Sequence, residues 1–361
     1  MRLWKRLLGT ALCLCAAVCL MSVSASAAEH SGHPICGAAH TDIGDHTGTC
    51  NDVMWTEVTK STVIDGKLTL EDGESYYLGE NINTTKAITI TGTVNLCLNG
   101  KTLSSSNNIS QLIEVTGGAV LNICSCQSGG EILFSRSGGG TDAGTPAILI
   151  KSGGKLNLYG GKVNRKNGSN GAGVKLYNAA NAEFNMYGGE VCNSNDNMSA
   201  AVYANATSGG GTINIYAGTV ICEKRDGISV VSGRNTQVLV AGGSISGGQY
   251  ALNTVKESRL TLSGQPSVIG GGAGIYLPSS SYFTVKDGFA VPDDGSISVM
   301  QALGTTNKGV IAKPEGSGSL ADRAQYFVSA EEGYFVESND DGELQLTACA
   351  ITEQPTVENS Y

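Results

Sequence analysis

The chain has 361 residues, 50 of them glycine, with a formal net charge of −9 and only 15% charged residues. This charge argues against nucleic acid or an anionic membrane surface as the main partner, because both select for clustered Lys and Arg. The glycines alternate with strand-like runs of Val, Ile, Leu and Tyr, which excludes a disordered linker and an ordinary helical domain.

Residues 1–27 have the pattern of a secretory signal peptide. Three basic residues precede an apolar run from Leu7 to Met21, and the small residues that follow include the A-x-A pair Ala25 and Ala27, which predicts cleavage before Ala28. The run is short for a membrane span, although an uncleaved anchor or a lipoprotein signal stays open. We therefore expect a secreted or cell-surface protein with no transmembrane segment after cleavage.

Residues 28–54 form a Cys/His-rich leader that contains every histidine of the chain. Two thiols and two imidazoles are ligands that tetrahedral zinc prefers, and such a closed site would be structural. A Cys36–Cys50 disulfide with solvated histidines is the rival interpretation, and a leader with no ordered site is a third. The predicted metal ligands are Cys36, His40, His46 and Cys50.

Internal repeats predict the fold of residues 93–299. Strand-like segments with one polar residue between apolar ones, each ending in a Gly turn, recur in steps of 27, 35, 28, 29, 25, 22 and 23 residues. This period fits one coil of a solenoid with about three short strands per coil. We predict an all-β, single-stranded right-handed parallel β-helix of about 7–9 coils, capped at both ends. The register positions are polar except for Leu239: Asn95, Asn122, Asn157, Asn185, Asn214, Leu239, Thr261 and Thr284.

Weaker strands between these segments predict a second face of the solenoid. One inward column would contain Val174, Val202, Ile228, Leu252 and Ile275. A second would contain the pairs Leu156/Leu158, Phe184/Met186, Ile213/Ile215, Val238/Val240 and Leu260/Leu262.

Both ends of the repeat region carry candidate caps. Residues 55–92 include Trp55 and would cover the first coil. Residues 300–348 lose the Gly-Gly rhythm and end in two alternating runs around Asn339 to Gly342, which predicts a β-hairpin. Residues 349–361 are a polar linker or the start of another module.

The order of several short motifs resembles a group of poorly characterised exported proteins of gut-type Gram-positive bacteria with pectin-lyase-like β-helices. These motifs are His33-Pro34-Ile35-Cys36-Gly37, Trp55, Tyr76-Tyr77-Leu78 and Leu96-Cys97-Leu98-Asn99-Gly100-Lys101-Thr102-Leu103. The resemblance covers roughly residues 30–348. It implies the β-helix and a place at the cell surface, and residues 351–356 look like the opening of a truncated Ig-like module. It implies little about activity, because most of the group has none known.

The cysteines of the repeat region fall at related positions in successive coils. Cys97 would neighbour Cys124 or Cys126, either disulfide-bonded or stacked as a small hydrophobe. Cys192 and Cys222 would repeat this relation. We favour buried or stacked thiols over redox chemistry, because no Cys-x-x-Cys motif occurs in a redox setting.

Catalytic candidates are few. The repeat region has no histidine and sparse carboxylates, and it lacks the clustered acids of known β-helix enzymes. Two sets could meet on neighbouring coils beside long turns, and solvated turns are the alternative account. They are Glu190 with Asp196, and Glu223, Arg225 and Asp226. The Asp293–Asp294 pair precedes a turn glycine, where Asp is common for backbone reasons.

Two repeated side chains predict a binding strip. Tyrosine recurs at one position in three consecutive coils and asparagine at another, and aromatic rings with amides can hold neutral sugars. The alternative is that both rows only stabilise the solenoid. The predicted ligand-binding residues are Tyr159, Tyr187, Tyr216, Asn157, Asn185 and Asn214.

We therefore predict an extracellular module that binds glycan, or a rigid spacer of an adhesin on a host or cell-envelope surface. A glycosidase or polysaccharide lyase with an unrecognised active site is the alternative function. No cofactor beyond the structural zinc is expected.

Overall fold

The computed structural model describes residues 33–34, 52–53, 55–136, 144–167, 171–177, 180–194, 199–206, 209–233, 235–256, 258–292, 295–302 and 309–349. These residues form a parallel β-solenoid of about eight turns with only about 3% helix, which confirms the predicted β-helix. Within this part of the chain, no helix has the length and apolar character needed to span a membrane.

Three sheets run along the solenoid, and we number them in the order in which each coil visits them. Sheet 1 contains Thr56–Val58, Ser75–Leu78, Thr93–Cys97, Val120–Cys124, Lys155–Leu158, Glu183–Met186, Thr212–Ile215, Gln237–Val240, Arg259–Leu262, Phe283–Val285, Val310–Pro314, Leu344–Ala348 and Tyr334–Ser338. Sheet 2 contains Ile82–Asn83, Thr102–Ser105, Glu131–Ser135, Lys162–Lys166, Glu190–Asn193, Thr219–Cys222, Ser244–Gly247 and Ser267–Gly270. Sheet 3 contains Ile88–Ile90, Ile113–Val115, Ile148–Ile150, Val174–Tyr177, Val202–Ala206, Ile228–Gly233, Tyr250–Asn253, Ala273–Leu277, Ile297–Gln301 and Phe327–Ser329.

Outside the C-terminal hairpin, the strands of the solenoid pair in parallel with the equivalent strands of neighbouring coils. On sheet 1 this places Asn122 between Asn95 and Asn157, and the same alignment continues through the predicted register positions to Thr284. The side chains on either side of these positions point inward, since successive residues of a strand face opposite sides of the sheet.

The solenoid interior is a continuous apolar core. The predicted column on sheet 3 is confirmed, because Val174, Val202, Ile228, Leu252 and Ile275 are buried and paired in register. The predicted pairs on sheet 1 are buried as well. A coil cannot bury these faces alone, so each depends on its neighbours for most of its stability.

The two ends of the solenoid differ. Residues 55–92, predicted as a cap, supply strands to all three sheets and so begin the solenoid itself. At the other end, the predicted hairpin is confirmed between Tyr334–Ser338 and Leu344–Ala348. Leu344–Ala348 pairs antiparallel with Val310–Pro314, which ends the parallel order of sheet 1. Two short 3-10 helices, Lys60–Thr62 and Ala321–Tyr326, complete the described elements.

Candidate functional site

The outer face of sheet 1 carries a continuous row of asparagine amides that ends on a serine hydroxyl. We call it the amide row, and its members are Ser75, Asn95, Asn122, Asn157, Asn185 and Asn214. Each asparagine Nδ2 donates to the Oδ1 of the preceding asparagine at 2.7–2.8 Å. Asn95 ends the row by donating to Ser75 Oγ at 2.9 Å. The amides of the row therefore bind one another along the solenoid axis, which is a stabilising arrangement.

A column of three tyrosines stands beside the amide row. The ring centroids of Tyr159 and Tyr187 are 4.8 Å apart and those of Tyr187 and Tyr216 are 5.0 Å apart, with the planes within 10° of parallel. Tyr159 is buried, and its ring packs in a cluster with Trp55 and Cys124. Burial raises the pKa of Tyr187, with further contributions from Tyr216 and Glu183, so its hydroxyl stays neutral.

This geometry limits how the tyrosine column could hold a sugar. CH–π contacts need a ring face, and stacking covers both faces of Tyr187 and one face each of Tyr159 and Tyr216. Tyr159 is also buried, so sugar binding through this column would use the outer face of Tyr216, ring edges and hydroxyl groups. The predicted ligand-binding residues are thus brought together on one face, where they also stabilise the coils.

The carboxylate candidates lie apart from one another. Glu190 is on the outer side of sheet 2, where its Oε1 is 3.0 Å from Lys162 Nζ in an open groove shared with Glu131. Its predicted partner Asp196 is outside the described residues, as is the Asp293–Asp294 pair. An exposed ion pair of this kind contributes little to stability and does not by itself indicate an acid/base couple.

Asp226 occupies a different environment, in the turn that leads from sheet 2 to sheet 3. It is only 8% exposed, and its Oδ2 accepts a hydrogen bond from Asn253 Nδ2 at 2.8 Å. Burial raises the pKa of this carboxyl above its ordinary value, against hydrogen bonds from Asn253 and Ser229 that lower it. Among the described residues, the Asp226 carboxylate therefore joins its turn to Asn253 in the next coil, which is a structural role.

The predicted zinc ligands Cys36, His40, His46 and Cys50 lie outside the described residues. The short strands on either side of them, His33–Pro34 and Asp52–Val53, pair antiparallel. Pro34 and Asp52, which flank the segment that contains the predicted site, are therefore neighbours in this pairing.

A cleft that the sequence did not indicate lies outside sheet 3. We call it the Lys175 cleft. Its volume is about 430 Å³, within the range of small-molecule sites. The residues that line it are Ser110, Gln111, Arg136, Gly144, Thr145, Leu149, Lys175 and Tyr177.

Lys175 is held in the cleft by aromatic rings. Its Nζ is 4.8 Å from the ring centroid of Tyr177 and 5.4 Å from that of Tyr203, which are cation–π distances. Burial lowers the pKa of Lys175. Gly144 has a φ of +141°, a backbone conformation that favours glycine, and a Cβ atom there would come within 1.9 Å of Lys175 Nζ, so a larger residue would also require the lysine side chain to move.

A second cation lies behind the cleft, inside the solenoid. Arg165 is fully buried and faces inward, with its guanidinium 4.8 Å from the centroid of the Phe134 ring. Its Nε donates to the carbonyl oxygen of Thr145 at 2.8 Å, and its Nη2 donates to Thr145 Oγ1 at 3.1 Å. Burial, with the nearby Arg136, lowers its pKa to about 10, so it stays charged at neutral pH.

The charge around the Lys175 cleft is positive. Lys175 and Arg136 line it, and Arg165 contributes from the interior. Glu114, one strand beyond Leu149 on the same face, is neutralised by Lys151 Nζ at 2.8 Å. In a chain with a net charge of −9, this is a local concentration of positive charge beside an aromatic ring that is 41% exposed, that of Tyr177.

The cysteines at the sheet 2 corner are not opposite each other, which corrects the predicted relation. Cys192 pairs with Ile221 and points outward, whereas Cys222 pairs with Asn193 and points inward. Burial raises the pKa of Cys192 to about 12, which leaves its thiol protonated and unreactive at neutral pH.

Comparison with known proteins identifies no relative: no family model matches, and no similar protein is found among the curated proteins or the solved structures.

Replacing Asn157 with alanine tests whether the amide row stabilises the solenoid. The change removes two hydrogen bonds of the row, whereas Asn214→Ala, at the end of the row, removes one. At about 1 kcal/mol each, we expect losses in unfolding free energy of about 2 and about 1 kcal/mol, measured by denaturant titration. Equal losses for the two variants would show that the bonds of the row do not set the cost.

Replacing Asp226 with asparagine tests its raised pKa. The native state binds the Asp226 proton more tightly than the unfolded chain does. The contribution of this carboxyl to the free energy of unfolding therefore falls as pH rises from its ordinary pKa through the raised one. We expect Asp226→Asn to gain stability relative to the parent across that window, in thermal unfolding at a series of pH values. The exposed Asp322→Asn is the control, and a parallel gain in that variant would argue against burial as the cause.

Proposed function

We propose that this protein is an exported, extracellular or cell-surface β-helix module that binds carbohydrate, and that the Lys175 cleft holds an acidic sugar. The observation that carries the proposal is the pairing of Lys175 and Arg136 with the exposed ring of Tyr177 in one concave site. A sugar carboxylate would be bound by the cations, and the sugar ring would pack against the tyrosine.

The polar lining of the cleft fits the remaining groups of such a ligand. Ser110, Gln111 and Thr145 line the cleft, and amides and hydroxyls both donate and accept hydrogen bonds, although Gln111 Nε2 already donates to Glu114 Oε2. A sugar hydroxyl needs both kinds of partner. This mixture of two cations, one aromatic ring and several neutral polar groups suits a uronate better than a phosphate.

The acidic balance of the chain limits the length of the ligand that is recognised. A net charge of −9 disfavours the binding of a long polyanion over the wider surface. Charges more than about 8–10 Å apart are largely screened at physiological salt. We therefore expect the cleft to recognise one charged unit of a saccharide.

Export is supported by the sequence of residues 1–27, and carbohydrate on an outer surface is accessible to an exported module. The resemblance to exported pectin-lyase-like β-helix proteins points the same way. The tyrosine column and amide row remain a second predicted glycan surface, and the test below includes them.

A second candidate function is a polysaccharide lyase, which the environment of Lys175 favours. Because its pKa is lowered, more of this amine is neutral near physiological pH than of an exposed lysine. A neutral amine beside a bound uronate could accept the proton α to the carboxylate. Release of unsaturated products would distinguish this activity from binding alone.

Binding to oligogalacturonate tests the main proposal against its methyl-esterified, neutral form. We expect the full chain to bind the acidic oligosaccharide more tightly. We also expect Lys175→Gln to weaken that binding by about 10-fold or more, because it removes a charge-assisted hydrogen bond of about 1.5–3 kcal/mol. Lys155→Gln, on sheet 1, is the matched control. Calorimetry measures affinity, and mass spectrometry of the same mixtures detects products.

Three results would change this assignment. Equal affinity for the charged and esterified ligands would show that Lys175 and Arg136 do not contribute to binding through their charge. Loss of binding on Tyr187→Ala but not on Lys175→Gln would move the site to the tyrosine column. Absence of both binding and products across plant, mucin and microbial glycans would favour a rigid spacer of an adhesin.

A further inference from the structure

Three cysteines meet on the outer face of sheet 1, next to the tyrosine column. We call Cys97, Cys124 and Cys126 the cysteine triad. Their sulfur atoms all lie within 4.8 Å of one another. Cys97 and Cys124 end equivalent strands and are paired in register. Cys126 follows two residues later and belongs to the turn after the second strand.

The turn that presents Cys126 is held by hydrogen bonds from the residues around it. Ser125 Oγ donates to the carbonyl oxygen of Gln127 at 2.6 Å and accepts from the backbone N–H of Gly100 at 3.3 Å. The backbone N–H of Leu98 donates to the carbonyl oxygen of Cys124 at 2.8 Å. These bonds join the turns that follow the two strands, so the three sulfurs are positioned by the backbone of two coils.

We propose that the cysteine triad binds one thiophilic divalent metal ion of the Zn²⁺ class. Three points with separations of at most 4.8 Å have a common point within 4.8/√3, about 2.8 Å, of each. Zinc–thiolate bonds are about 2.3 Å long, so a shift of about 0.5 Å per sulfur brings all three into contact with one ion. A disulfide would use only two of the three.

The surroundings favour a divalent over a monovalent ion. Cys97 and Cys124 are buried, and Trp55 and Tyr159 pack with them in an apolar cluster. Three thiolates around a divalent ion leave a net charge of −1, whereas a monovalent ion such as Cu⁺ leaves −2. The desolvation cost of the remaining charge is therefore smaller for the divalent ion.

Cys126 gives the site its access to solvent, because it is exposed while its two partners are buried. An ion would arrive from the side of Cys126 and release a proton from each thiol that it binds. Three protein ligands leave the fourth position of a tetrahedral ion open on that side. The triad shares no residue with the predicted Cys36, His40, His46 and Cys50 set, and it does not depend on the glycan proposal.

Cobalt titration of the reduced chain without residues 1–27, which contain Cys13, Cys15 and Cys19, tests the triad, with Co²⁺ as a spectroscopic probe for Zn²⁺. Cys36→Ser and Cys50→Ser are included so that the leader thiols cannot contribute. We expect one Co²⁺ per chain, with thiolate-to-metal charge-transfer absorption that added Zn²⁺ abolishes. Cys126→Ser should weaken binding by at least about 10-fold, whereas Cys349→Ser, at the other exposed cysteine, should not.

Circular dichroism of each variant checks that the solenoid is intact, and replacement of the exposed Cys126 is not expected to disturb it. The proposal fails if Cys126→Ser and Cys349→Ser bind Co²⁺ equally. It also fails if peptide mapping shows that two members of the triad are joined in a disulfide in the chain as purified, or if no charge-transfer absorption appears.

Discussion

The structure depends on parallel pairing of each strand with its equivalent one coil away. This constraint places strand residues on their counterparts in the next coil, so the character of a position tends to be repeated over several coils. Inward positions become continuous apolar columns, and outward positions become the amide row and the tyrosine column. Polar groups thereby satisfy one another where a single coil would leave them exposed to water.

The same constraint explains how much of the fold could be predicted. On sheet 1, an outward Asn between two inward apolar residues, as at Asn157 and Asn185, is repeated so regularly that the register can be read directly. The strands of sheet 2 are harder to predict from the sequence, because Lys162–Lys166 has only one apolar residue and lacks a clear alternation. Its Arg165 points inward and is satisfied by carbonyl oxygens, which no hydrophobic pattern reveals. Because the register of sheet 2 is hard to derive from the sequence, the sequence pattern aligns Cys192 with Cys222, whereas Cys192 pairs with Ile221, one residue earlier.

The candidate site was predicted only in part. The tyrosine column follows from repetition, and the structure places its members together. The Lys175 cleft does not follow from repetition, because Gln111, Arg136 and Lys175 come from separate coils with no common spacing. The 35-residue step from Asn122 to Asn157, the longest between register positions, contains Arg136, Gly144 and Thr145. The cleft therefore lies where the repeat is interrupted, and an interruption carries no periodic signal.

The C-terminal hairpin has a consequence for how copies of the chain can meet. A solenoid that ends in a parallel strand offers a template on which another copy could add its first coil and so build a fibre. Here Leu344–Ala348 reverses direction, and Tyr334–Ser338 forms the last edge of sheet 1 with Glu337 on it. An incoming copy would meet a strand that departs from the parallel order and carries a carboxylate, a type of residue that discourages pairing at sheet edges. The hairpin thus works against end-to-end addition of copies at sheet 1.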